Sequence, residues 1–159
     1  MPYKDSMWDS LESVWQAAYA DKEHCNAYVV PIPSADRKPD MTVAEWHCEA
    51  DIFPDYVPVL DWQEYTLDKL REMQPDVIFI HNPYDACNRV TSVEPQYYSH
   101  NLKQCTDKLV YIPYYVCGET IAPNFCQSMG VVNADYVIVQ DEDIKAQFEQ
   151  YYTDGKTPA

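Results

Sequence analysis

Four short, unbroken apolar runs constrain this chain more than any other feature. They are Ala27-Tyr28-Val29-Val30, Val77-Ile78-Phe79-Ile80, Leu109-Val110-Tyr111-Ile112 and Tyr136-Val137-Ile138-Val139. Each has the length of a strand and none alternates with polar residues, as expected of strands covered on both faces. Around the runs the apolar spacing changes to that of helices. Trp8, Leu11, Trp15 and Ala18 mark one helical face, behind a Ser6 cap with Asp9 three residues on. Leu67, Leu70 and Met73 mark a second, which stops before Pro75. A third runs from an Asp141 cap through Ile144, Phe148 and Tyr151 or Tyr152, and ends at Gly155. Strands alternating with helices predict an α/β fold: a parallel sheet with right-handed crossovers and helices on both faces.

The 159 residues suffice for one domain, or for one half of a larger enzyme. Residues 1–3 read as the tail of a strand and residues 152–158 as a linker. The expectation is therefore a single domain over residues 1–159 that is a fragment, without its upstream strand and without a second domain. The stretch 31–62 carries Pro33, Pro39, Pro54 and Pro58. It is longer than ordinary connections, and is expected to be an irregular insertion over the active rim or to hold one short strand near 56–60.

Several functions are excluded. Glycine occurs only at 118, 130 and 155. A Walker loop or a G-x-G-x-x-G fingerprint needs glycines where backbone approaches phosphate, so the familiar ATPase and dinucleotide sites are absent. Eleven Lys+Arg against 26 Asp+Glu leave a formal charge of -15, which opposes nucleic acid as a partner. No apolar run nears the roughly 18 residues that would span a bilayer, and no basic-then-apolar leader opens the chain. The expected compartment is the cytoplasm. The six cysteines contain no C-x-x-C pair and are read as reduced, mostly small buried hydrophobes. His47, Cys48, Glu49 and Asp51 crowd metal-ligating groups into one short segment that cannot easily wrap an ion, and no metal or other cofactor is assigned.

In an open α/β sheet, ligands bind beyond the carboxyl ends of the strands. The loops that follow the runs should therefore share one rim: Pro31-Ile32-Pro33, His81-Asn82-Pro83-Tyr84-Asp85, Pro113-Tyr114-Tyr115 and Gln140-Asp141-Glu142-Asp143. His81 offers an imidazole that could take a proton from an attacking hydroxyl, and closing the strand by bonding backbone is its structural alternative. Asn82, Tyr84, Asp85, Tyr114 and Tyr115 are candidate substrate contacts, the tyrosines as a stacking platform for a sugar or polyol or as rim packing. Lys4, Arg89, Lys103 and Lys108 are the cations considered for a phosphate-bearing ligand, with Lys4 the candidate and Lys103 read as a solvated helix residue.

Residues 1–15 and 27–33, Ile80-His81-Asn82-Pro83-Tyr84-Asp85, Thr91-Ser92-Val93, Asn101-Leu102-Lys103 and residues 108–114 together look like a family signature. The chain resembles the amino-terminal half of bacterial CDP-glycerol glycerophosphotransferase-like proteins of the teichoic-acid polymerase type. The resemblance implies one Rossmann-like half of a GT-B-type transferase. Its activity would move glycerol phosphate from CDP-glycerol to the hydroxyl of a polyol-phosphate or glycan, without a bound metal, in cell-wall synthesis. This half would receive the acceptor at Lys4, Asn82, Tyr84, Asp85, Tyr114 and Tyr115, with His81 as base. The donor would bind to the missing second domain, and the full-length protein could lie at the inner membrane face. A non-catalytic polyol- or glycan-binding domain, or a protein-interaction module, is the alternative, and a homodimer stays open.

Overall fold

The computed structural model describes residues 1–152. In chain order the elements are helix α1 (Asp9–Ala20), strand β1 (Ser34–Asp36), α2 (Leu67–Met73), β2 (Val77–Ile80) and β3 (Thr91–Val93). They continue with α3 (Ser99–Leu102), β4 (Lys108–Tyr111), α4 (Pro123–Cys126), α5 (Met129–Asn133), β5 (Tyr136–Val137) and α6 (Glu142–Tyr151).

The second and third apolar runs form the centre of a parallel three-stranded sheet in the order β2-β4-β5, with Ile78 opposite Leu109 and Tyr111 opposite Val137. The fourth run is regular strand only at Tyr136–Val137, although Ile138 N–H still donates to Tyr111 O at 2.9 Å. Three further lines of backbone continue the layer on the free side of β2. The Met1 nitrogen donates to Phe79 O, Ile32 N–H donates to Pro2 O, and Leu60 N–H donates to Val29 O. Val29 and Val59 form a parallel bridge. The lateral order is thus 59, 29–32, 1–3, β2, β4, β5.

The first apolar run departs from expectation here, because 27–30 is no regular strand. The physical reason is proline. Pro2, Pro31 and Pro58 have no N–H to donate, so the ladder shrinks to single bonds. The strand expected near 56–60 is likewise reduced to the bridge at Val59. The 31–62 stretch is also more regular than an insertion loop. Its β1 pairs antiparallel with β3, Ser34 opposite Val93, and Ser34 bridges to His47. This two-stranded sheet was not expected from the sequence.

Side chains alternate across the main layer and build a core on each face. Ile78, Ile80, Leu109 and Tyr111 pack with Leu70 of α2, Leu102 of α3, Val131 of α5 and Ile144 and Phe148 of α6. Phe79 and Ile112 lie with Trp8, the residue before α1, Leu11 of α1, Val29, Phe53 and Val57. Helices therefore cover both faces, as expected. Helix α1 starts later than expected, at Asp9 behind Trp8, after a 3-10 turn over Asp5–Met7, and Ser6 caps nothing. The Asp141 cap is present, its carboxylate accepting from Ile144 N–H at 2.8 Å. The stop expected at Gly155 and the linker beyond Tyr152 lie outside the described residues. All six cysteines are free, but only Cys105 and Cys126 are buried and Cys87 is exposed, so the expectation of mostly buried thiols is corrected.

Candidate functional site

The lateral order reverses its progress along the chain between residues 1–3 and β2, and His81 closes β2 at that point. Its ring is fully buried. Tyr3 N–H donates to Nε2 at 3.1 Å, so the proton sits on Nδ1. Nδ1–H faces Ser10 Oγ at 3.1 Å and Met7 O at 3.3 Å, and the Ser10 hydroxyl donates onward to Met7 O. Tyr3 and Tyr114 pack edge-on against the imidazole, with centroids 5.1 and 6.0 Å away. Burial holds the imidazole far below its usual range, at about 3. His81 thus joins the amino-terminal segment, the start of α1, β2 and the loop after β4. A base on the open rim would need a free acceptor nitrogen, and here that nitrogen is occupied by backbone.

The residues after His81 turn outward. Asn82 Oδ1 accepts from Tyr84 N–H in a loose 3.4 Å turn. Gly130 at the start of α5 clamps that turn, donating its N–H to Pro83 O at 2.7 Å. A Cβ on Gly130 would lie 2.6 Å from Pro83 Cα, so glycine is required by close approach. Asp85 is buried in the left-handed region, with φ 47°. Its carboxylate accepts from Ser99 N–H at 2.8 Å and Ser99 Oγ at 2.6 Å, fixing the start of α3. Burial pushes its pKa up and these hydrogen bonds only partly offset that. The structure gives Asp85 to the fold and not to the rim surface.

The tyrosines do meet. Tyr114 stands edge-on to Tyr3 with centroids 6.3 Å apart, and Tyr111 Oη lies 3.4 Å from Tyr115 Oη. Tyr114 and Tyr115 are edge-on at 5.5 Å, and Phe125 of α4 contacts both Tyr115 and Tyr84. Between them opens a cleft of about 420 Å³, walled by Tyr84, Tyr114, Tyr115, Phe125, Ile121 and Thr120, with Cys117 and Ala122 completing it. That volume is within the roughly 300–1,000 Å³ of small-molecule sites. Burial raises the phenols of Tyr3 and Tyr84 well above the usual range, and that of Tyr115 to about 12, so these hydroxyls stay protonated.

Of the expected contacts, Tyr84, Tyr114 and Tyr115 share this cleft, whereas His81, Asp85, Asn82 and Lys4 are not among its walls. Lys4 is half-buried beside Tyr3, and Arg89 is exposed before β3. Lys103 forms an ion pair with Asp135, where a purely solvated residue was expected, and the Lys108 ammonium lies 5.8 Å over the Tyr136 ring. Thr120, Ile121 and Phe125 line the cleft without having been expected from the sequence. The signal available was the loop holding Gly118 and the Pro123 that starts α4 as its first residue. A second concavity of about 420 Å³ lies at the opposite ends of the strands, between α1, residues 24–30 and the start of β2, away from the rim. Among the described residues no His, Cys, Asp and Glu group could hold a metal ion, and no helix is long and apolar enough to cross a membrane. Comparison with protein-family models, curated proteins and solved structures finds no significant match.

Proposed function

We propose that this chain is the Rossmann-like, acceptor-side half of a GT-B-type glycerophospho- or glycosyltransferase, and that its tyrosine cleft receives a hydroxyl-bearing acceptor. The observation that carries the reading is the position of the cleft. It opens beside the reversal in lateral order, at the carboxyl ends of β2 and β4, where open α/β sheets bind ligands. The resemblance to CDP-glycerol glycerophosphotransferase-like proteins supplies the reaction. The acceptor oxygen would bond to the glycerol-bearing phosphorus of CDP-glycerol, CMP would leave, and the hydroxyl proton would pass to a base. With its ring closed as here, His81 positions the rim, and the base comes from elsewhere in the assembled enzyme.

The test is CMP release from CDP-glycerol by the protein joined to its donor domain, with a polyol-phosphate or glycan acceptor. Turnover that falls at least about tenfold in Tyr114→Ala, with folding intact by circular dichroism, supports the reading. Tight binding of CDP-glycerol to this chain alone would reverse the assignment of halves. The commitment of both ring nitrogens of His81 also favours a second reading, a polyol- or glycan-binding domain without catalysis. Ligand binding in the cleft with no CMP release from the joined protein would select it.

A further inference from the structure

We infer that the tyrosine cleft selects an uncharged, hydroxyl-rich ligand, an alditol or sugar ring, over its phosphate ester. This rests on the reading of the cleft as the acceptor site and narrows it: in a polyol-phosphate acceptor, the phosphate would lie outside these walls. The first support is the composition of the walls. Among Tyr84, Tyr114, Tyr115, Cys117, Thr120, Ile121, Ala122 and Phe125 there is no Lys, Arg or His. A phosphate bound there would be taken from water with no cation to receive it, a cost of several kcal/mol per buried charge in general. Arg89 and Lys108, the cations nearest in sequence to the rim tyrosines, are not part of the walls, and neither is Lys4.

The second support is the kind of polar group present. Three phenols and the Thr120 hydroxyl offer O–H groups that donate and accept, the same capacity a ligand hydroxyl brings. Carboxylate and amide side chains are absent from the walls, so a ligand hydroxyl can both donate to and accept from these groups, whereas an anion could only accept and would find no positive charge to balance it. The third is shape. Tyr114 and Tyr115 stand at 89° to each other and Tyr115 and Phe125 at 65°, so ring faces and edges line the cleft together. Carbon–hydrogen faces of a sugar or alditol pack on such rings while their hydroxyls reach the phenols. The charge of the whole chain, -15, acts in the same direction by lowering the local concentration of anions.

The experiment is a pair of titrations of the chain followed by amide chemical shifts, one with sorbitol and methyl glucoside, one with glycerol 3-phosphate and glucose 6-phosphate. The expected result is shifts at Cys117, Gly118, Thr120 and Tyr115 with the neutral ligands, at least about tenfold weaker binding of the phosphates, and loss of binding in Tyr114→Ala. Introducing a cation, Thr120→Lys, should narrow that ratio without changing the fold, which a merely non-specific weak site would not show. Phosphate esters binding as tightly as the neutral ligands, or more tightly, at the same amides would overturn the selectivity while leaving the acceptor cleft standing. Shifts absent from the cleft with every ligand would overturn both.

Discussion

His81 shows how one side chain can be removed from chemistry by the bonds that make it useful to the fold. Its ring takes a proton from no one in this arrangement, because Nε2 already accepts from Tyr3 N–H and no water reaches it. The consequence is a measurable pH dependence. An exposed imidazole titrates near 6.5, whereas this one titrates near 3. Between those values the unfolded chain binds a proton that the folded chain refuses, so the stability His81 contributes is complete above 6.5 and is lost as pH falls towards 3. Replacing it by His81→Gln should cost about 2–3 kcal/mol at pH 7.5, and that gap should shrink by about 2 kcal/mol by pH 5. Urea denaturation of both proteins at each pH reads the difference, and other titrating groups largely cancel in it, including the raised Asp85 that works in the opposite sense. A gap that stays constant with pH would show the ring to be open to protons. Gly130 gives a second test at this scale. Its added methyl would press on backbone at Pro83, which cannot swing aside, so Gly130→Ala should lower the unfolding free energy by about 1–3 kcal/mol.

Elements in this protein are short, and their ends matter more than their interiors. Helix α6 starts on the Asp141 carboxylate, which accepts from Ile144 N–H, and Ile144 and Phe148 then reach the core. Asp141→Ala should therefore lower the melting temperature and Asp141→Asn should lower it much less, a pattern that thermal melts resolve. At the other end of the scale, Gln74 closes α2 with φ 48°, a conformation natural to glycine. Gln74→Gly should stabilise by a few tenths of a kcal/mol, read in the same melts. These ends also explain what the sequence could reveal. β2 and β4 were legible because Val77 to Ile80 and Leu109 to Tyr111 are apolar on both faces and bury both. Ser34–Asp36 and Thr91–Val93 were not, because each is only three residues long and finds its register in a partner far along the chain. At the site, the rim position of Tyr84, Tyr114 and Tyr115 followed from their place after strands. The burial of His81 and Asp85 did not, because it depends on Tyr3, Ser10 and Ser99 folding across them.

The whole molecule carries its excess of acid with few contacts to neutralise it. Lys69 pairs with Glu72, Arg71 with Asp68, Lys145 with Glu142 and Lys103 with Asp135, all at partly exposed positions. Such pairs contribute about 0–1 kcal/mol each, and 26 acidic residues against 11 basic ones leave repulsion spread over the surface. The two effects differ in range. Charges in contact are closer than the screening length of about 8 Å at 0.15 M salt, whereas repulsion across the molecule acts over the roughly 30 Å that applies at 0.01 M. Raising sodium chloride from 0.01 to 0.15 M should therefore remove more repulsion than attraction, and increase stability by about 1 kcal/mol, or about 4 °C in the melting temperature. A melting temperature that falls with salt would mean that the ion pairs dominate. The same change of salt bears on the cleft. Neutral walls holding a neutral ligand predict an affinity that salt leaves within about twofold, while a phosphate ester, repelled by the whole chain, should bind better as salt rises. Stability and affinity measured over one salt series thus separate the field of the molecule from the chemistry of its cleft.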